Sequence, residues 1–584
     1  MKEKKFPYFV NILLWAAIIA VTTLFLLTII GDPDFFWHLK TGEWIWQNKE
    51  LPAHDPFSYT SPSLASARER FILTSYWLSE VGYHLIHSAA GMPGIVVLRF
   101  LVIGALLAVL TKRRQGDSTL YLGLLLIFVT TLLKIYPADR PQVFSFLFFG
   151  VLLLLLDRIR QGVPTSHYWL PALMLLWANT HGGYILGQAI IVLYIVMEGV
   201  KFLRPGMLRP MAQEAYRKLL LAGAAGIACS FINPNTYHAW TAMKSLTSYM
   251  MSINIEYMSS LELFLRLNEY GMLPYWLLLL LTAIGVLVNI KKIDITEAAL
   301  LAATGYFSFT QIRYIPFFLV ATVPVAGRLL SGKRVLPWAR AVVLFAAICT
   351  SLFFSRNELG NIQRIGSGRW ISNSQFPVQA SEFISSRKLA GNMYNDYSWG
   401  GYLIWRLGPE RKVFIDGRAL YEDVFALWAS ISAAEARSYG GVPFWKSVLA
   451  GYKVRYIVIP FYDRFTGEMV PLVNALLRDK DWVPVFIDLN SMVFVQDTLE
   501  NKQVIAEARR SVKKEYLGEF MLSMLNRRIQ SDPGNATLHI AKGDVYLVMQ
   551  KVPEARVEYE TTLNMSPFNI TAKQRLWELK AIGK

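Results

Sequence analysis

The sequence predicts a polytopic α-helical membrane protein with about 11 spans, a C-terminal extracytoplasmic α/β domain and a short helical end. Two observations carry this prediction. Hydrophobic residues make up 54% of the 584 residues, and they are grouped in blocks of about 20, the length that crosses a bilayer. The net charge of +17 falls mainly between these blocks, where Lys and Arg set membrane topology, so we expect no nucleic-acid partner.

The apolar runs define the predicted spans in order. They are residues 8–30, 80–110, 119–135, 142–157, 168–180, 184–201, 218–232, 273–290, 295–311, 315–331 and 337–355. The first run is too long for a signal-peptide core and no small-residue cleavage pattern follows it, so we expect it to be retained. The second run includes an amphipathic lead-in at 77–90, for which a position along the membrane interface is the alternative to crossing.

Basic residues precede the first span and follow every second span after it, and they indicate the orientation. They are Lys2, Lys4, Lys5, Lys112, Arg113, Arg114, Arg158, Arg160, Lys201, Arg204, Arg209, Arg217, Lys218, Lys291, Lys292, Lys333, Arg334 and Arg340. If the spans alternate, all of these lie on one side, which is then cytoplasmic. They are interpreted as plain topology signals, and membrane lipids are the expected surroundings.

Three domains follow from the change in hydropathy. Residues 1–355 form the transmembrane domain, 356–499 the extracytoplasmic α/β domain and 500–584 the helical end. In the second domain, strands are predicted at 413–418 and 454–460, with a strand pair over 483–495. The two cysteines, Cys229 and Cys349, lie in apolar runs and indicate no disulfide.

The helical end resembles one tetratricopeptide repeat. Pro533 and Pro567 lie 34 residues apart, and small and aromatic residues at helix-turn-helix spacing lie between them. These are Gly543, Tyr546, Ala555 and Tyr559. A single repeat must pack on a neighbour or a partner, so a protein partner is one expectation and a helical hairpin that caps the domain is the other.

Polar motifs concentrate at the predicted extracytoplasmic ends of the spans. The first is residues 31–38, where Asp32, Asp34 and His38 follow the first span directly. Asp32 is a favoured N-cap before Pro33, and a helix would place Asp34 and His38 on one face. The alternatives are a cap with a polar loop and a catalytic carboxylate at the membrane surface. Further polar segments lie at 52–60, 136–142, 179–184, 233–240 and 311–314.

This layout of many spans, an acidic motif in the first outer loop, a second polar loop and a C-terminal outer domain resembles the GT-C superfamily of membrane glycosyltransferases. The resemblance covers roughly residues 1–355. It implies a bacterial inner-membrane enzyme whose first-loop aspartate is the catalytic base and whose sugar donor is a polyprenyl-phosphate or polyprenyl-diphosphate lipid. Asp34 is the preferred base, because Trp37 and His38 lie beside it in a helix, and Asp32 is the alternative.

An inverting transfer also needs positive charge near the lipid phosphate, for which Arg140 and Arg313 are the candidates. Asp139 either pairs with Arg140 as a cap or joins the acidic site, and an interfacial anchor is the alternative for Arg313. For His181 and His238, loop packing is favoured over metal binding. The histidine spacing fits no zinc pattern, and Mg²⁺ or Mn²⁺ on Asp32 or Asp34 is the only metal expected.

In the outer domain, Asp416 and Arg418 are the polar residues that end the predicted strand at 413–418, and they are candidates to line the path of the acceptor. A structural role in strand-end turns is the alternative. The first rival function is a non-catalytic envelope assembly or scaffold protein that recruits partners through its tetratricopeptide-like end. The second is a lipid-linked glycan transporter or ligase, for which the sparse polar residues along the middle of the spans are unfavourable.

Overall fold

The computed structural model describes residues 2–61, 66–136, 138–203, 210–244, 255–267, 270–291, 293–332, 336–356, 358–435, 437–511 and 516–581. Five of the basic residues that indicate the orientation lie outside the described residues: Arg204, Arg209, Lys292, Lys333 and Arg334. Pro137 also lies outside them. The chain forms two compact units. The first comprises Met1–Ala53 and Ala65–Trp370, and the second comprises His54–Leu64 and Ile371–Lys584.

The first unit is helical. Its α-helices are α1 (Lys2–Leu26), α2 (Pro33–Asn48), α3 (Ala67–Thr74), α4 (Trp77–Lys112), α5 (Ser118–Ile135), α6 (Gln142–Arg160), α7 (Trp169–Thr180), α8 (Tyr184–Leu203), α9 (Gln213–Cys229), α10 (His238–Lys244), α11 (Ser260–Leu267), α12 (Leu273–Val288), α13 (Ile295–Thr310), α14 (Ile315–Leu329), α15 (Leu336–Ser355) and α16 (Leu359–Gly366). Short 3₁₀ helices lie at Ile255–Tyr257, Tyr270–Met272 and Ile312–Tyr314.

Every predicted span coincides with a helix, and seven stretches are long and apolar enough to cross a membrane among the described residues. They are Tyr8–Leu26, Trp77–Lys112, Ser118–Ile135, Gln142–Arg160, Tyr184–Leu203, Ile312–Leu329 and Trp338–Ser355. The chain is thus a helical protein of the multi-pass membrane class. Helices α7, α9, α12 and α13 contain 12, 17, 16 and 16 residues, and the total of 11 spans remains a prediction.

The spans differ in how deeply they are buried within the first unit. In α5 and in Ile312–Leu329, 83% of the apolar window is buried, against 33% in α1 and in Trp338–Ser355. Helix α5 packs against α1, α14 and α15, and residues of all four helices share one apolar core. Helices α5 and α14 are therefore central, whereas α1 and α15 present apolar side chains outward, as lipid-facing helices do.

Helix α4 is two helices joined at a break. Gly91 has φ of 61°, a conformation that glycine adopts without a Cβ clash, and Pro93 follows it. The break separates the predicted amphipathic lead-in from the apolar span. The lead-in packs closely on α2, because a Cβ at Gly42 would lie 1.9 Å from the carbonyl oxygen of Glu80. This close approach fixes α2 beside α4.

Several basic residues interpreted as topology signals also form ion pairs. Arg160 pairs with Asp294 at 3.1 Å and with Glu297 at 2.9 Å. Lys201, 2% exposed, pairs with Glu198 and Asp294, each at 2.7 Å. Their side chains therefore hold α6, α8 and α13 together, a role beyond topology.

The second unit combines a sheet with flanking helices. Its α-helices are α17 (Val378–Ser386), α18 (Gly400–Leu407), α19 (Glu422–Ser432), α20 (Phe444–Gly451), α21 (Pro471–Arg478), α22 (Lys502–Ser511), α23 (Leu517–Ser531), α24 (Thr537–Val548), α25 (Val552–Met565) and α26 (Ile570–Ala581). Its strands are β1 (Asn392–Asn395), β2 (Ser438–Tyr439), β3 (Val442–Pro443), β4 (Val454–Pro460), β5 (Trp482–Ile487) and β6 (Ser491–Gln496), and 3₁₀ turns lie at Tyr397–Trp399 and Leu499–Asn501.

Strands β1, β4, β6 and β5 form a sheet in that order, with β1 parallel to β4 and the other pairs antiparallel. The predicted strand at 454–460 and the strand pair at 483–495 are confirmed. The predicted strand at 413–418 is wrong. Val413 forms an isolated bridge with Ser58, and its backbone N–H donates to the Phe57 carbonyl at 3.0 Å. Residues 413–415 are buried, but Val413 pairs with residues 57–58 and no residue of this run joins the four-stranded sheet.

The helical end forms a hairpin of α24 and α25 flanked by α23 and α26. Gly543 leaves room for the Tyr559 ring, since a Cβ there would lie 2.4 Å from the ring. The Tyr559 hydroxyl donates to Asp544 at 2.7 Å. Two of the residues that suggested a tetratricopeptide repeat therefore contact each other, and membership in that repeat class stays a prediction.

Candidate functional site

Arg140, in the loop between α5 and α6, is the centre of an acidic cluster in the first unit. Its Nε lies 2.6 Å from Asp32 Oδ2, and its Nη1 lies 3.1 Å from Asp34 Oδ2 and 2.6 Å from Glu256 Oε1. The side chain of Arg140 is 29% exposed and that of Asp34 is 18% exposed. Three carboxylates thus surround one guanidinium at a site that solvent or a ligand can reach.

Local sequence explains the position of Asp32 and Asp34. Asp32 has extended backbone angles and is the N-cap of α2, where its Oδ1 accepts the Asp34 N–H at 2.9 Å. Pro33 occupies the first helical position, which needs no N–H donor. The predicted cap is confirmed. Because Asp32 also binds Arg140 through Oδ2, both of its oxygens are engaged.

Asp34 has the electrostatic environment of a base. Burial raises the pKa of Asp34 from 3.8 to about 6, the charge of Arg140 opposes this, and the charges of Asp32 and Glu256 add to it. Near neutral pH the carboxylate is ionised yet holds a proton far more readily than an ordinary aspartate. A general base works best with a pKa near the operating pH, and the raised pKa brings Asp34 closer to that range.

Glu256 lies between two arginines. Burial acts to raise the pKa of Glu256, but the charges of Arg140 and then Arg313 outweigh it and lower that pKa. Arg313 stacks on the Tyr257 ring, with 4.8 Å between its Cζ and the ring centroid. Among the described residues, no carboxylate lies within 4 Å of the Arg313 guanidinium. Arg313 is therefore the less neutralised of the two arginines.

A buried ion pair supports the loop that carries Arg140. Asp139 pairs with Arg99, rather than with Arg140 as one prediction had it, and both side chains are 1% exposed or less. Burial raises the pKa of Asp139 to about 6 against the charge of Arg99. Arg99 also donates to the Thr28 carbonyl at 2.9 Å. The Asp139–Arg99 pair thus ties the loop that carries Arg140 to α4 and to the segment between α1 and α2.

His38 shares the helical face of Asp34, as predicted, but its ring reaches Glu80. His38 Nδ1 lies 2.8 Å from Glu80 Oε1, and both side chains are buried. The His38 ring packs on Trp37, with 3.5 Å between ring centroids, and meets Tyr76 edge-on at 5.0 Å. The pair links α2 to α4 and holds the helix that carries Asp34.

His181 lies in a separate polar group. Its Nδ1 accepts the Gly183 N–H at 2.9 Å and lies 2.7 Å from Ser145 Oγ. Burial, and then the charge of Arg313, lower the pKa of His181 to about 3, so the ring is neutral at pH 7. His238 is exposed and stacks on Tyr237 at 4.1 Å between centroids. His238 is the first residue of α10, so the predicted loop position is wrong by one residue, and the metal alternative stays untested.

Asp416 and Arg418 belong to the second unit. Arg418 binds Asp55 at 2.8 Å and Asp416 at 2.6 Å, and its side chain has no exposed surface. Burial acts to raise the pKa of Asp55, but Arg418 outweighs it and lowers that pKa. The three side chains neutralise one another inside the unit and tie residues 54–61 to the turn after Ile415. They offer no surface to an acceptor.

Sequence reasoning missed three charged residues near these groups. Arg99 and Glu80 interrupt the apolar residues of α4, and an ionisable residue in a span is a signal that was available. Glu256 lies in a 3₁₀ turn outside every polar motif that was singled out, so nothing local marked it. Its place in the cluster is visible only in three dimensions.

Comparisons with known proteins identify no relative from which a function could be inferred. No protein-family model matches this chain, and no curated protein matches it. Within the described residues, no group of three His, Cys, Asp or Glu side chains is arranged to hold a metal. The expectation of Mg²⁺ or Mn²⁺ on Asp32 or Asp34 stays a prediction.

Proposed function

We propose that this protein is an integral membrane glycosyltransferase that moves a sugar from a polyprenyl-phosphate-linked donor to an acceptor on the extracytoplasmic face of a bacterial inner membrane. The observation that carries the proposal is the cluster of Asp32, Asp34, Glu256 and Arg140, beside which Arg313 lies. It provides a partly exposed carboxylate with a raised pKa next to a less neutralised arginine. The predicted orientation of the spans supports the choice of face.

The proposed reaction is an inverting substitution at the anomeric carbon. Asp34 takes the proton of the acceptor hydroxyl as the hydroxyl oxygen forms a bond to that carbon. The bond between the carbon and the donor phosphate oxygen breaks, and its electron pair stays on that oxygen. The products are the glycosylated acceptor and polyprenyl phosphate, and the proton remains on Asp34 until it passes to solvent.

The arginines have different tasks in this proposal. Arg140 binds three carboxylates, so its charge is already compensated and it chiefly fixes the position of Asp34. Arg313 has no carboxylate of a described residue within 4 Å, so its guanidinium remains to contact the donor phosphate. A phosphate that gains negative charge as the bond breaks is stabilised by such a cation more strongly in the transition state than in the ground state.

The test uses the full-length protein purified in detergent and reconstituted in vesicles. Polyprenyl-phosphate-linked glucose, galactose and mannose are offered as donors together with a bacterial envelope extract that supplies acceptor hydroxyls, with and without Mg²⁺. Release of polyprenyl phosphate is measured with and without the extract. Asp34→Asn is expected to lower the rate by about 100-fold or more, the contribution of a general base. The matched control is Glu50→Gln, because Glu50 is an exposed carboxylate beyond the end of α2.

Full activity in the Asp32→Asn, Asp34→Asn double variant would refute the base assignment. An equal loss in Glu50→Gln would show that the assay reports surface charge and not catalysis. If no polyprenyl phosphate is released from any of the three donors, transfer of glucose, galactose or mannose from such a lipid is refuted.

A further inference from the structure

A cleft between α6 and α7 lies apart from the acidic cluster. Its volume is about 550 Å³, within the range of small-molecule sites. Most of its lining is aliphatic, and Leu154 and Leu155 of α6 face Leu173 and Leu176 of α7 across it. Helix α6 is long and apolar enough to span a membrane, and its lining residues Val151, Leu154 and Leu155 lie in the second half of that span.

One end of the cleft is polar. Arg158, in the last turn of α6, lines it together with Thr165 and Ser166 of the following loop. Arg158 Nε donates to Thr165 Oγ1 at 3.3 Å. In the part of the chain that the structure describes, no carboxylate lies within 4 Å of the Arg158 guanidinium. Arg160, two residues along on another face of α6, pairs with Asp294 and Glu297 instead.

Aromatic residues mark this end as a membrane surface. Tyr168 and Trp169 are 71% and 63% exposed, although both are large and apolar for most of their area. Tyr and Trp are enriched where a membrane meets water, and arginine side chains at span ends extend to the lipid phosphates. The polar end of the cleft therefore lies at the depth of lipid headgroups.

We propose that this cleft binds an anionic glycerophospholipid. The lipid phosphate contacts Arg158, Thr165 and Ser166, and an acyl chain lies against the leucines of α6 and α7. Charge complementarity favours an anionic headgroup, since an exposed guanidinium with no carboxylate partner faces the place where the phosphate would lie. The apolar lining favours a lipid over free phosphate, because soluble phosphate would leave the cleft in contact with water.

The test measures lipid binding to the purified full-length protein by native mass spectrometry in detergent. Phosphatidylglycerol is the anionic probe, phosphatidylcholine the zwitterionic one, and glycerol phosphate the soluble headgroup. Arg158→Gln is expected to weaken phosphatidylglycerol binding about fivefold, the effect of one basic residue at an anionic membrane surface. Ala172→Phe, which narrows the cleft without removing charge, is expected to weaken binding of the same lipid.

The matched control is Arg114→Gln, because Arg114 is an exposed arginine beyond the end of α4 and outside the cleft. Unchanged binding in this control with loss in Arg158→Gln supports the site. Equal losses in the two arginine variants, equal binding of phosphatidylcholine, or full competition by glycerol phosphate would each overturn the proposal. A thermal melt of every variant shows whether the protein is folded, and Arg158→Lys is expected to restore most binding if the charge is what matters.

Discussion

Replacing Asp34 by Asn changes the candidate base by one atom and removes its charge. The carboxylate lies 3.1 Å from the Arg140 guanidinium and 18% of its side chain is exposed, so an amide of the same shape fits the site. Two quantities should then change in opposite directions. Catalytic rate falls because the amide takes no proton, and the free energy of unfolding rises because a costly buried charge is gone.

The magnitude follows from the pKa. Burial raises the pKa of Asp34 from 3.8 to about 6, with Arg140 already opposing that rise. The folded state therefore holds the proton more tightly than the unfolded state, and stability is lost as pH rises from about 4 through about 6. One pKa unit corresponds to about 1.4 kcal/mol, so the ionised carboxylate costs the fold about 3 kcal/mol at pH 7. Asp34→Asn should recover up to that amount.

Two assays separate the effects. Thermal unfolding in detergent should give a higher Tm for Asp34→Asn than for wild type at pH 7, and a smaller difference at pH 4. Release of polyprenyl phosphate should fall by about 100- to 10,000-fold. The wild-type kcat/KM should rise with pH to a plateau, with an apparent pKa near 6 that disappears in the variant.

Either of two results would refute this reasoning. A lower Tm in Asp34→Asn at pH 7 would mean that the ion pair with Arg140 outweighs desolvation, which makes Asp34 a structural residue. An unchanged pH profile with a raised Tm would mean that burial does raise the pKa of Asp34 but that Asp34 does not take the proton of the acceptor. Glu50→Gln should change neither quantity.

The other predictions concern residues with distinct tasks. Asp32→Ala should lower stability, by about 1 kcal/mol for the lost cap alone and more for its ion pair with Arg140, as thermal unfolding would show. Arg313→Gln should lower kcat/KM for the donor at least tenfold, chiefly through kcat, and Arg313→Lys should restore part of it; an unchanged kcat/KM would place the phosphate elsewhere. Asp55→Ala should destabilise the second unit by about 3–5 kcal/mol, because Arg418 loses a buried partner, and limited proteolysis of that unit would detect this.

Local patterns predicted the elements well where one run of residues decides the outcome. The cap at Asp32 depends on a residue type and on Pro33 beside it, and β4 depends on a continuous apolar run. The failure at 413–418 has the same physical basis. An apolar run predicts that its residues will be buried. Whether they pair in a sheet depends on which segment packs beside them, and here residues 57–59 occupy that place.

The pairings at the candidate site were beyond local patterns. Its position near the end of a span predicts Arg140 as a phosphate contact, yet Arg140 binds Asp32, 108 residues away, and Glu256, 116 residues away. His38 was placed beside Asp34 correctly by helical spacing, but its partner Glu80 comes from another helix. Spacing gives the face on which a side chain lies and leaves open what that face meets.

The sequence by itself determined that this is a helical protein of the membrane class. The length and hydropathy of an apolar segment are properties of the chain and can be read without knowing any contact. It also determined the start of α2, since capping acts over three residues. Only the tertiary structure decided that Asp34 has a raised pKa and that Arg140 is compensated. Desolvation and Coulomb interactions act through space, so they depend on which distant residues the fold brings together.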